Sequence, residues 1–164
     1  YNFFPGAIAI ASRRASGDDD EPMRMVRKIH AGAKYFTTQI FYDSASMIDL
    51  LEAYSHTCKA HAVEPVRVFL SVSPVASRHT LKVISALGGS PPDHLIDAIF
   101  AQGGSIGNRS ITMIETMLKR IFDHCHNNNL NIPLGLCIGH VTEGNMRLAY
   151  ELLHRLPPLM NQYK

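Results

Sequence analysis

The sequence predicts an α/β fold of four consecutive β/α units, half of a TIM-type (β/α)8 barrel, and three observations carry that reading. Short apolar runs of strand length alternate with stretches whose apolar residues recur at helical spacing. A helix separates each run from the next, so every connection is a crossover and the strands are parallel. The 164 residues, nearly half of them apolar, suffice for one folding unit with its own core. A half-barrel would leave two strand edges open and one apolar strand face in water. The pattern therefore predicts pairing with a complementary half, either an upstream segment or another chain. A doubly wound open sheet is the rival, but the glycine-rich phosphate fingerprint usual after its first strand is absent.

Phe3–Ala11 reads as a strand, followed by Ser12, Arg13, Arg14 and a polar Gly-Asp-Asp-Asp loop. Glu21 and Pro22 open a helix, an acid and a proline being favoured near its positive end, and Met23, Val26 and Ile29 continue it to Gly32. Tyr35–Tyr42 is the second strand. Ser44 caps a helix through about Ala62, with Met47, Leu50, Leu51 and Tyr54 on its inner face. Val66–Val72 is the third strand, Ser77–Leu87 a helix ended by Gly88-Gly89, and Asp93–Phe100 a short helical segment behind Pro91-Pro92. Ile106–His126 is the longest helix and Leu134–His140 the fourth strand. Asn145–Leu156 is a last helix, stopped by Pro157-Pro158.

The net charge of +2 is spread along the chain, which argues against nucleic-acid binding. No apolar run approaches the roughly 20 residues of a membrane span, so a soluble protein is expected. Cys58, Cys125 and Cys137 are an odd number without a CxxC pair, which predicts neither a disulfide framework nor a zinc ribbon, and fits a reducing compartment, cytoplasmic or organellar. The start at Tyr1 rather than Met suggests a longer polypeptide or a processing site. His56, Cys58 and His61, like His124, Cys125 and His126, lack the spacing of three or four that puts a full ligand set on one helix face; they read as ordinary helix residues, with no metal. Gln102–Gly107, with three glycines, reads as a mobile connection, with a backbone phosphate cradle as the alternative.

The segment Arg27-Lys28-Ile29-His30-Ala31-Gly32-Ala33-Lys34-Tyr35-Phe36-Thr37-Thr38-Gln39-Ile40-Phe41-Tyr42-Asp43 is similar to the methylenetetrahydrofolate reductase pattern of Lys, a few residues, Ala-Gly-Ala, then Thr-Gln-x-Phe-Phe-Asp. Ser73-Pro74-Val75-Ala76-Ser77 through Leu87-Gly88 resembles the Ser-Pro-Val loop and helix of reductase-like proteins, and Ile132-Pro133-Leu134-Gly135-Leu136 resembles their last strand. The likeness runs in order from about Gly6 to Leu156 and implies the C-terminal half of that family's barrel. It further implies FAD at the carboxyl ends of the strands, with NAD(P)H and a folate taking turns against the flavin. By the same resemblance Gln39 would meet the pterin, to whose edge an amide offers both donor and acceptor. Arg27 and Lys28 would meet the FAD phosphates and ribose, Glu21 would contact the cofactor, and Arg13 would face the site from the first loop.

Some positions depart from the pattern. Ala11-Ser12-Arg13-Arg14 stands in place of a Tyr-Pro and a His-Pro, and Leu70-Ser71 in place of Pro-Gly. Arg78 falls near the aromatic residue that stacks on the folate aminobenzoate; a guanidinium there can stack or pair with a carboxylate. His140-Val141 replaces an Asn-Arg, and His140 would serve as a general acid or meet a ligand anion, or be a strand-end histidine satisfied by its neighbours. The family's proton-donating glutamate and flavin-tuning aspartate come from early strands that the sequence does not contain, so no catalytic residue is assigned. Two functions follow. One is an FAD-dependent oxidoreductase of one-carbon metabolism, passing hydride from NAD(P)H to methylenetetrahydrofolate or a related acceptor. The other is a catalytically degenerate barrel serving as a structural or ligand-binding subunit of a larger assembly.

Overall fold

The computed structural model describes residues 3–12, 20–86, 89 and 91–163. Four strands, β1 (Gly6–Ala9), β2 (Tyr35–Thr38), β3 (Arg67–Val72) and β4 (Leu134–Ile138), form one sheet in that order. β1 and β2 are parallel with Gly6 opposite Tyr35, and β2 and β3 are parallel with Tyr35 opposite Arg67. The Val68 N–H donates to the Pro133 carbonyl and the Gly139 N–H to the Val72 carbonyl, so β4 runs the same way. The strand order contains no reversal. A doubly wound sheet is defined by one, so the succession is that of a β/α barrel. The helices are α1 (Glu21–His30), α2 (Ser44–Ala60), α3 (Arg78–Ala86), α4 (Asp93–Phe100), α5 (Ile106–Asn127) and α6 (Met146–Asn161). Among the described residues no helix is long and apolar enough to cross a membrane.

Several boundaries differ from the sequence reading. β1 starts at Gly6, because Phe3 and Phe4 lie before its ladder and are 87% and 72% exposed. β2 ends at Thr38 although the apolar run continues to Tyr42: Ile40 and Tyr42 leave the sheet and pack with Val75, Leu81, Ile84 and Ile99. β4 ends at Ile138, just before His140 turns to a positive φ of 48°. α2 begins with Ser44 inside it, leaving the cap position to Asp43. α6 runs through Pro157 and Pro158 to Asn161. Two missing donors weaken that helix, but its end is anchored, since the Tyr163 ring stacks on Phe122 at 5.4 Å and its hydroxyl donates to Asp123. Leu87 and Gly88, the predicted end of α3, lie outside the described residues.

The described residues fall into two compact units. The first takes the chain up to Gln39, then Ala45–Ser71 and His124–Cys137. One face of its strands, with Ala9, Phe36, Val68 and Leu70, is buried, as are Met25 and Val26 of α1 and Met47, Leu51 and Tyr54 of α2. The Phe36 and Tyr54 rings meet edge to face at 5.9 Å, and the Tyr54 hydroxyl accepts the Val66 N–H at 2.9 Å. The other strand face is partly open. Ile8 there is 61% exposed, and Phe4 stacks on Tyr35, whose ring occupies the space a β-carbon at Gly6 would need.

In this unit α1, α2 and the last residues of α5 enter the next strand through the same turn. At Gly32, Ala62 and Asn129 the chain takes a positive φ (106°, 52° and 51°). Each residue donates its N–H to a carbonyl three back (Ile29, Lys59, His126), and the following residue donates to one five back (Lys28, Cys58, Cys125). These are Schellman caps, which satisfy the orphan carbonyls of a helix end at the cost of one left-handed residue.

The second unit takes Ile40–Ser44, Val72–Asp123 and the chain from Ile138 on. Its apolar cluster joins Ile40, Tyr42, Val75, Leu81, Ile84 and Ile99 to Leu95, Phe100 and Met113. Gln102–Gly107 is held rather than loose: Arg109 donates to the carbonyls of Ile99 at 2.8 Å, Ala101 at 2.9 Å and Gly103. On α6, Met146, Tyr150 and Leu153 form an exposed apolar stripe at helical spacing.

The cap geometry predicts opposite signs for two substitutions. Ala62→Gly should raise stability by about 0.5–1 kcal/mol by removing left-handed strain from an L-residue, whereas Gly32→Ala should lower it by about 1 kcal/mol. Nothing lies within 4 Å of a β-carbon at Gly32, so that loss is conformational. Urea midpoints at unchanged m-value check both, and a destabilised Ala62→Gly variant would contradict the assignment.

Candidate ligand-binding site

In the first unit the end of β1 is tied to α1 by a buried acid. Asp20 caps the helix, accepting the Met23 N–H at 2.9 Å, and Glu21 in the first turn is 2% exposed. Glu21 Oε1 accepts the Ile10 N–H and the Lys28 ammonium, both at 3.3 Å, and Arg24 Nε lies 3.5 Å from Oε2. Lys28 Nζ also donates to the Ile8 carbonyl at 2.6 Å. A buried carboxylate requires this company, because an unpaired charge out of water is costly. Glu21 and Lys28, both assigned to the cofactor by resemblance, thus contact each other. Arg27 is exposed in the last turn of α1. Arg13 lies outside the described residues.

At the end of β2 a side chain replaces a ladder bond. Thr38, 4% exposed, accepts the buried Ser71 N–H on its hydroxyl at 2.8 Å, and the next N–H, that of Gln39, donates to the Ala9 carbonyl at 3.0 Å. Gln39 therefore sits half-buried at a strand end fixed on both sides by hydrogen bonds. Thr38 and Gln39 are neighbours in one motif, of which the sequence alone singles out only Gln39.

In the second unit the loops after β3 and β4 are welded by Asn145. This residue, 1% exposed, stands at the cap position of α6 but makes no cap bond there. Its amide nitrogen donates to the Pro74 carbonyl at 3.1 Å and the His140 carbonyl at 3.2 Å, and its oxygen accepts the Thr142 N–H at 2.7 Å. The Ser73-Pro74-Val75 loop has two further supports: the Tyr42 hydroxyl donates to the Ser73 carbonyl at 2.8 Å, and the Val75 N–H donates to the buried Ser110 hydroxyl at 2.8 Å. Burial pushes the Tyr42 phenol well above its ordinary range, so it stays protonated as that donor. Arg78 follows this loop, its guanidinium 4.6 Å from the centre of the Phe100 ring. His140 is exposed on its left-handed turn. Asn145 was legible in sequence only as a helix opener; no local signal marks a side chain that bridges residues 71 positions apart.

Among the described residues no three His, Cys, Asp or Glu side chains converge on a metal position. His124 pairs with Glu52 at 2.8 Å. Burial, aided by Glu52, pushes the Cys125 thiol up to about 11, and burial raises Cys58 as well, so neither is a ready thiolate.

The comparisons with known proteins agree with one another. The methylenetetrahydrofolate reductase family model matches residues 4–132. Methylenetetrahydrofolate reductase 2 of the fission yeast Schizosaccharomyces pombe is 28% identical over 112 residues, covering 63% of this chain and 17% of the yeast protein. An uncharacterized protein from Clostridium thermocellum that binds two copies of 5-methyl-5,6,7,8-tetrahydrofolic acid superposes with a TM-score of 0.80 at 24% identity, over 95% of this chain and 54% of that one. The chain thus spans about half of that protein and under a fifth of the yeast one.

Thr38→Val, nearly isosteric, strands the buried Ser71 N–H and should cost about 1–3 kcal/mol, while Thr38→Ser keeps the acceptor and should cost less. Chemical denaturation compares the two, and equal losses would mean that packing, not the hydrogen bond, matters. Asn145→Asp keeps the acceptor but loses both donor bonds. Amide exchange should then quicken in residues 73–75 and 140–142 of the second unit while that of α5 stays slow.

Proposed function

The chain belongs to the methylenetetrahydrofolate reductase family, and from that premise we propose that it is the folate-recognising half of a reductase-type barrel, with hydride transfer arising only when a complementary half is present. The observation that carries the proposal is the Thr38-pinned Gln39 at the end of β2, inside the family-matched segment. A half-buried amide there suits the edge of a pterin, which needs a donor and an acceptor together. Arg78 and His140 also follow the carboxyl ends of strands, β3 and β4, where β/α barrels place their function. Within the second unit the Arg78 guanidinium lies 4.6 Å from the centre of the Phe100 ring, and its edge suits a carboxylate. The folate binding of the Clostridium protein supports the same ligand class.

FAD and NAD(P)H would supply the redox chemistry of the completed barrel, carrying hydride to methylenetetrahydrofolate or a related acceptor. In this reading α1 contributes little to the diphosphate site. Lys28 is engaged by Glu21 and the Ile8 carbonyl, and Glu21 is buried among its own partners. Arg27 lies on an exposed face of α1, and in this reading most flavin contacts fall to the complementary half. The partly open strand face of the first unit supports the need for that half, since parallel sheets are covered on both sides. The engagement of Lys28 also favours a second reading, a ligand-binding subunit without turnover.

The test is the visible spectrum and 5-methyltetrahydrofolate binding of the protein purified with its copurifying chains. A flavin band bleached by NAD(P)H and restored by methylenetetrahydrofolate establishes the reductase. Folate binding without flavin establishes the second reading, and neither property rejects both. Gln39→Ala and Arg78→Ala should each weaken folate binding about tenfold, the scale of one charged or well-placed hydrogen bond, with unchanged circular dichroism.

A further inference from the structure

The second unit holds a cavity of about 320 Å³ that the folate reading leaves unused; Arg78 and His140 are not among its lining residues. It lies among the residues that follow β2, the first turn of α4 and the middle of α5. Leu95, Met113 and Met117 give it an apolar side, and Asp43, His94 and Arg120 a polar one. Its size is at the low end for small-molecule sites, which typically run from about 300 Å³ upwards and combine apolar walls with a few polar groups.

The two arginines of α5 near α4 differ in a telling way. Arg109 commits its guanidinium to three carbonyls of the α4–α5 connection. Arg120, also on α5, has no hydrogen-bond or ion-pair partner among the described residues, yet it lines the cavity. His94 lines it from the first turn of α4, whose cap position is Pro92 and makes no side-chain cap bond. An exposed guanidinium, an exposed imidazole and a helix start without a side-chain cap favour an anionic group; Asp43 is the one acid in the lining. The unbranched methionines beside them adapt to an apolar body of varied shape. We propose that this cavity binds a small organic anion with an apolar body, its charged group at Arg120 and His94 and its apolar part against Leu95, Met113 and Met117.

This site is independent of the folate reading, and its test separates the two. The purified protein is titrated with 3-phenylpropionate and with the uncharged 3-phenylpropanol, followed by amide NMR shifts. Saturable millimolar binding of the acid should move residues 43–44, 94–95 and 113–120, with the alcohol at least tenfold weaker, as expected when one charge-assisted contact is lost. Arg120→Gln, an exposed substitution, should weaken the acid at least tenfold, whereas Arg78→Ala should leave it unchanged. Equal binding of acid and alcohol, full binding by Arg120→Gln, shifts elsewhere, or no saturable binding would each overturn the proposal and leave the folate assignment untouched.

Discussion

A parallel sheet has to be hidden from water on both faces, and the first unit covers only one face of its strands with its own helices. The covered face is a tight apolar layer in which Phe36 meets Tyr54 and the Tyr54 hydroxyl satisfies the start of β3. The other face carries Ile8 in the open and a Tyr35 ring lying over Gly6. The strands are ordered by their helices well enough to fix their ends, while the opposite face stays partly open.

The two ends of the strands are built by different rules. Where helices of the first unit return to strands, one solution is used three times, a left-handed residue that lets the chain turn while closing the helix carbonyls. Such turns hold the fold and offer little chemistry. Where strands run out, each loop has its own device: the Thr38 hydroxyl in place of a backbone acceptor, the Asn145 amide across two loops, the Tyr42 phenol on the Ser73 carbonyl. Side-chain hydrogen bonds at these points cost conformational entropy and are worth having because they set the direction of the residues that follow. That is how a barrel separates the end that stabilises from the end that functions.

Charge is managed in the same local way. Glu21 is nearly inaccessible, and its burial is tolerable because Lys28, Arg24 and the Ile10 N–H surround it. A lysine so engaged is less available to any further anion. In the second unit the stacking of Arg78 on Phe100 does the opposite, ordering a cation by its apolar face and leaving its polar edge unspent on that contact.

The sequence by itself determined the order of four β/α units, the places of most helices, and the membership signalled by the Thr-Gln-Ile-Phe-Tyr-Asp stretch, because these depend on periodicity and on residues adjacent in the chain. Tertiary structure decided where apolar runs stop being strands. Ile40 and Tyr42 look like a continuation of β2 but serve a different apolar cluster, a distinction that hydrophobicity alone does not encode. It also carried α6 past two prolines, because the contacts of Tyr163 with Phe122 and Asp123 outweigh a local preference to stop. The partners of Lys28 and Asn145 were equally beyond the sequence: a side chain's chemistry is written in its type, but what it meets is set by which distant segments the fold brings within 3 Å or so of it.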